Sequence, residues 1–189
     1  MQIPAIIMAG GKGKRFDFKK VNAKYQEKLL LSIGGKYLIE HVIDAALASK
    51  KINRVIIAVS PHTPCTRSII ASRNQLIEII ETPGAGYHSD VSFIIKALSL
   101  GISITIAADI PLIKSEILDE IIERYFTLKK PTLSVMADVK LFNQYGLSPT
   151  IIFQSENYQK NLVPLGINVI DGNLISQKKI DQTILISER

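Results

Sequence analysis

The residues best suited to chemistry stand near the start of the chain, in Ala9-Gly10-Gly11-Lys12-Gly13-Lys14-Arg15. Glycines at 10, 11 and 13 let backbone N–H groups approach a phosphate with no Cβ in the way. Lys12, Lys14 and Arg15 add positive charge at once. Two common phosphate-binding patterns are excluded. A dinucleotide fingerprint needs a third glycine where Phe16 stands, and a P-loop needs Gly-Lys-Ser/Thr after four residues, which is absent. What remains is a glycine turn with a basic flank, suited to a compact polyanion such as a triphosphate.

Asp109 is the next candidate. It follows the apolar run Ile102 to Ala107 and precedes Ile110-Pro111-Leu112. A carboxylate at the end of a strand can hold a magnesium ion that bridges phosphates. A turn aspartate ahead of a proline is the structural alternative. Other reactive side chains carry less. Cys65 has no flanking signature of a nucleophile and reads as a buried or incidental thiol. His41 falls in a helical pattern, while His62 and His88 have no metal-ligand spacing.

The elements that must position these residues alternate in type. Ala5 to Met8, Val55 to Val59, Ile77 to Ile80 and Ile102 to Ala107 read as buried strands. Leu38, Ile39, Val42, Ile43, Ala46 and Leu47 mark one face of a helix, as do Val91, Ile94, Ile95 and Leu98 within Ser89 to Leu100. Ser115 to Leu128 repeats the pattern, with Ser115 and Glu116 at its start. This alternation predicts an α/β fold with a largely parallel sheet covered on both faces. Ligands then bind outside the carboxyl ends of the strands. That rule gathers residues 9–28, 60–66, 82–90 and 108–112 on one rim. Leu133 to Met136, Thr150 to Phe153, Gly166 to Ile170 and Ile180 to Ile186 read as further strands, with Asp138 to Ser148 a polar connection.

The 189 residues suit one domain spanning 1–189, and an apolar share of 47% against 21% charged is that of a chain with a core. The charge of +6 admits polyanionic partners. Nucleic acid is not expected, because only 6% of residues are aromatic and no basic stripe interleaves with them. No apolar run nears the roughly 20 residues of a membrane helix. Positive charges follow the first apolar segment rather than precede it, which is unlike a secretory signal, and a single cysteine suits a reducing cytoplasm.

The glycine turn, together with Glu27-Lys28-Leu29, resembles the signature of nucleotidyltransferases that include sugar-nucleotide, methylerythritol and molybdenum-cofactor enzymes. Ser60-Pro61-His62-Thr63-Pro64, Thr82-Pro83-Gly84-Ala85-Gly86-Tyr87 and Leu162-Val163-Pro164-Leu165-Gly166-Ile167-Asn168-Val169 are similar to segments of the archaeal CobY-type adenosylcobinamide-phosphate guanylyltransferases. The resemblance implies a Rossmann-like three-layer fold with a mostly parallel mixed sheet. It implies transfer of GMP from GTP to cobinamide phosphate, with pyrophosphate released and Mg2+ as cofactor. Arg15, Lys28 and Asp109 would be catalytic. Lys12, Lys14 or Arg15 would grip the β- and γ-phosphates, and Lys28 would face the α-phosphate. Asp109 would hold the metal, with Asn168 a second ligand. Ala9 to Arg15, Ser60, Pro61, Thr82, Gly84, Gly86 and Tyr87 would line the nucleotide. A molybdenum-cofactor or sugar-phosphate nucleotidyltransferase is the nearest alternative, and a regulator without turnover is the one from another class. Oligomeric state stays open, a homodimer included.

Overall fold

In the computed structural model, residues 1–13, 26–72, 76–149, 151–155, 160–177 and 182–187 are described below. The apolar β-branched runs form β1 (Ile3–Met8), β4 (Ile52–Val59), β5 (Ile77–Glu81) and β6 (Ile102–Ala107). These four pair in parallel, β6-β1-β4-β5, with β1 in the middle. The sheet continues past β6 through the antiparallel strand β9 (Lys160–Asp171) to β7 (Thr132–Asp138) and β10 (Gln182–Ser187). A short strand, β8 (Phe153–Ser155), adds to the first part of β9. The outcome is the mixed, mostly parallel α/β sheet that the alternation predicts. A separate hairpin joins β2 (Ser32–Ile33) to β3 (Lys36–Tyr37).

Alternate residues of β1 feed two layers. Ala5 and Ile7 face a core built with α1 (Leu38–Ala48) and α4 (Ser115–Leu128), through Ile39, Val42, Ala46, Leu118 and Ile122. Ile6 faces the opposite side, where Val91, Ile94 and Ile95 of α3 (Tyr87–Ala97) close over it together with Ile56 and Ala58. Ile6, Ile7, Ile56 and Ile57 are fully buried. Burying an aliphatic side chain of this size contributes about 1.5–3 kcal/mol. The central strands are thus a rigid base for whatever their ends carry.

Two helices depart from the pattern read in the sequence. Pro64–Ala71 forms α2, and Val139–Gln144 within the polar connection forms α5. Asp138 caps α5 by accepting from the Lys140 N–H at 2.9 Å. β9 is longer than Gly166 to Ile170, because its first part runs beyond the end of β6 and pairs with β7 and β8. No helix among the described residues is long and apolar enough to cross a membrane.

Candidate active site

Because β1, β4, β5 and β6 run in parallel, the segments that leave them emerge on one rim. Ala9 is fully buried and its N–H donates to the Ala58 carbonyl at 2.8 Å, extending the β1–β4 ladder by one step. Gly10 then passes against Ser60, whose Oγ donates to the Gly10 carbonyl at 2.8 Å and accepts from the His62 N–H at 3.1 Å. A Cβ at Gly10 would lie 2.9 Å from the Ser60 Cβ, so only glycine lets these loops touch. Gly84 makes the third contact. Its φ is +69°, and a Cβ there would meet the His62 ring at 3.0 Å. Gly10, Ser60, His62 and Gly84 therefore form one wall, as the strand-end rule predicts for segments 9–28, 60–66 and 82–90. Gly11 and Lys12 are exposed beyond it, and Gly13 is half-buried. Pro61 is exposed, whereas Thr82 is buried with its Oγ1 donating to the Val59 carbonyl at 3.0 Å. Lys14 and Arg15 lie outside the described residues.

The two other residues expected to be catalytic come together across the rim. Lys28 opens a 3-10 turn, Lys28–Leu30, anchored by buried Leu29 and Leu30. Its Nζ sits 2.6 Å from Asp109 Oδ2, and both side chains are 38% exposed. A pair this open adds only about 0–1 kcal/mol to stability, so it is not there to hold the fold. It brings a cation and a carboxylate from positions 81 residues apart to the end of β6. Among the described residues no cluster of three His, Cys, Asp or Glu could hold a metal by itself. Magnesium does not need one, since it takes one or two carboxylates together with waters and substrate phosphates. Asp109 fits that use.

Asn168 stands elsewhere. It pairs with Thr105 across β6 and β9, within the strand and four residues before Asp109, which lies beyond the end of β6. Its Nδ2 donates to the Tyr87 hydroxyl at 2.8 Å, and its Oδ1 accepts from Ser134 Oγ at 2.7 Å. Tyr87 and Thr105 share a further bond of 2.7 Å. These four side chains form a neutral knot on the α3 face of the sheet. It ties Tyr87, the first residue of α3, to β6, β7 and β9. Tyr87 as a whole is 37% exposed, but its hydroxyl end is partly enclosed beside Thr105. That burial pushes the phenol above its ordinary value, while the bonds to Thr105 and Asn168 pull the other way. Gly86, exposed, precedes the helix, and Asp90 accepts from the Ala85 N–H at 3.2 Å. Asp90 therefore steadies the start of α3.

Glu27, within the Glu27-Lys28-Leu29 segment, has partners of its own. It accepts from the Cys65 N–H and the Thr66 N–H, each at 2.8 Å, and from Thr66 Oγ1 at 2.6 Å. The same carboxylate, followed by burial, pushes the Cys65 thiol up. The signal in the sequence was indirect: a helix that begins at Pro64 with no side-chain cap of its own needs an acceptor from elsewhere.

Comparison with known proteins agrees with this geometry. Residues 5–152 match the family model of the MobA-like NTP transferase domain. The adenosylcobinamide-phosphate guanylyltransferase of Methanocaldococcus jannaschii is 34% identical over 93% of this chain and 84% of its own length. The probable molybdenum cofactor guanylyltransferase of Pyrococcus horikoshii is 32% identical over 69% of this chain and 60% of its own. In fold, the chain is similar to the 4-diphosphocytidyl-2C-methyl-D-erythritol synthase of Anaerococcus prevotii, with a TM-score of 0.65 at 14% identity. That likeness covers 99% of this chain and 89% of the other. With its glycine turn on the central strand and Lys28 set against Asp109, the chain belongs to the MobA-like NTP transferase family and is a nucleotidyltransferase.

Proposed function

We propose that this chain, acting as one domain over residues 1–189, transfers GMP from GTP to adenosylcobinamide phosphate. The products are adenosylcobinamide-GDP and pyrophosphate, in the cytoplasmic synthesis of cobalamin. The observation that carries the reaction is the Lys28–Asp109 pair on the rim that the glycine turn borders. The choice of acceptor rests on the Methanocaldococcus jannaschii relative, which is similar along nearly the whole chain.

In this reading an oxygen of the acceptor phosphate attacks the α-phosphorus of GTP. The new P–O bond forms as the bond to the bridging oxygen of pyrophosphate breaks. A phosphate monoester already carries about −1.5 to −2 charge at neutral pH, so no general base is required. The obstacle is the meeting of two anions and the charge that gathers on the leaving group, which fixed donors and cations must meet. Backbone N–H groups of Gly10 to Gly13, with Lys12, Lys14 or Arg15, take the β- and γ-phosphates. Lys28 turns to the α-phosphate. A unit pair at 4 Å gains about 1 kcal/mol in water and about 4 kcal/mol at an effective dielectric near 20, so a rim closed over substrate gives Lys28 most of its effect. Asp109 is the residue to hold a magnesium ion, which when bound supplies charge neutralisation across the phosphates. Ser60, Pro61 and the Thr82–Tyr87 loop take the base. Asn168, engaged with Tyr87 and Ser134, is left out of the metal site in this reading.

The test is pyrophosphate release with magnesium, GTP and a panel of acceptors. Release with adenosylcobinamide phosphate, and not with molybdopterin or sugar phosphates, is the expected result. Release with one of the others alone reassigns the acceptor. None with any acceptor, alongside tight GTP binding, supports a regulator. ATP and CTP in place of GTP test the base.

A further inference from the structure

A lysine that must face a reacting phosphate needs its backbone held, and the chain holds Lys28 from both sides. Leu29 and Leu30 are buried on one side. On the other stands Glu27, whose carboxylate closes over the start of α2 some 38 residues away in sequence.

The first N–H groups of a helix have no partner within it. In α2 the accounting is short. Pro64 has no N–H, and the Arg67 N–H bonds the Thr63 carbonyl at 3.1 Å. The N–H groups of Cys65 and Thr66 remain, and Glu27 takes one with each oxygen. Thr66 is fully buried, and its hydroxyl also donates to Glu27 Oε2 at 2.6 Å. The Thr63 side chain, at the N-cap position, makes no capping bond. Glu27 thus replaces the local cap, and a carboxylate there also suits the helix dipole. One residue later the side chain of Lys28 reaches Asp109 at 2.6 Å.

We propose that Glu27 is a positioning residue for nucleotidyl transfer: its clamp on α2 sets the backbone of Lys28 so that the amine stays at the Asp109 end of the rim. The inference rests on the transfer reading only in taking Lys28 as catalytic; the positioning itself is a matter of structure.

Four measurements test it. In Glu27→Ala, kcat falls about 10- to 100-fold, the scale of a misplaced catalytic group, while the KM for GTP stays within about twofold. Glu27→Gln keeps an acceptor oxygen at the same reach and recovers part of the loss. Added to Lys28→Ala, the Glu27→Ala change lowers kcat by no more than about twofold, because partners acting as a unit are not additive. Acetylation of Lys28 by acetic anhydride, read by mass spectrometry against the other lysines, speeds up several-fold in Glu27→Ala. A plain structural cap predicts otherwise: a lower Tm, unchanged kcat in the folded fraction and unchanged Lys28 labelling. That result overturns the proposal, as does full additivity with Lys28→Ala. If the wild type transfers to no acceptor, the transfer reading fails by itself, and the labelling rate still decides whether Glu27 positions Lys28.

Discussion

Two polar clusters sit on the same sheet and are built on opposite terms. At the carboxyl rim, Lys28 and Asp109 are charged, 38% exposed and joined by one short contact. On the α3 face, Tyr87, Thr105, Ser134 and Asn168 are neutral and bonded into a network whose links run from 2.7 to 3.4 Å. Among the described residues no buried side-chain nitrogen or oxygen lacks a partner. A group already bonded within the protein gives up part of that network when it turns to a ligand. An open charged pair can exchange its partner for a phosphate or a cation at small cost. In the function proposed above, chemistry belongs to the rim and scaffolding to the knot, although a carboxamide on a strand and a carboxylate at a strand end look equally eligible in a sequence.

The variant that strains this contrast most is Asp109→Ala. It should lower kcat by about 10²–10³, the usual loss when a transition-state charge partner is removed. The Tm should move by no more than a degree or two, since an exposed pair holds little stability. Lys28→Ala should follow with a loss near 10² in kcat, also at nearly constant Tm. A large drop in Tm in either would make the rim structural and erase the comparison.

The knot should answer the other way. Asn168→Asp keeps an oxygen for a metal but removes the N–H that Tyr87 accepts. Stability should fall by about 0.5–1.5 kcal/mol for the lost hydrogen bond, or roughly 2–4 °C in Tm per kcal/mol for a chain of this size. The activity of the folded fraction and its dependence on magnesium should hold. Retained Tm with altered magnesium dependence would return Asn168 to the metal.

The smallest effect is one of pH. Burial raises the Tyr87 phenol above its ordinary value of 10.0. A raised acid favours the protonated form in the folded state, so its contribution is complete below about pH 10 and is lost as pH climbs through the raised value. Thermal melts from pH 9 to 11 should fall less steeply in Tyr87→Phe than in the wild type. Equal slopes would show that the hydroxyl is not held as described.

Much of the fold was legible because its signals are local. Continuous runs such as Val55 to Val59 announce a strand buried on both faces, and Leu38 to Leu47 and Ser115 to Leu128 carry helical spacing. The rim was legible for the same reason, since the parallel order of β1, β4, β5 and β6 sends their exits to one side. What escaped depends on partners distant in sequence. α2 has only Thr66 and Ile70 buried and takes its cap from Glu27, so nothing within Pro64 to Ala71 announces it. α5 buries no residue at all. β9 contains Pro164 and is irregular where it passes between Ser134 and Met136, which disguises its length. The role of Asn168 depends on a register that sets it between Thr105 and Ser134, and only the assembled sheet fixes that.

The most direct measurement follows the label from GTP carrying a marked α-phosphate, with adenosylcobinamide phosphate and magnesium, in wild type, Asp109→Ala and Asn168→Ala at equal folded concentration. The predicted result is label on the corrinoid product with equimolar unlabelled pyrophosphate in the wild type, near-complete loss in Asp109→Ala, and transfer retained in Asn168→Ala. Transfer surviving in Asp109→Ala but abolished in a folded Asn168→Ala would contradict the account, because the chemistry would then lie in the knot and not at the rim.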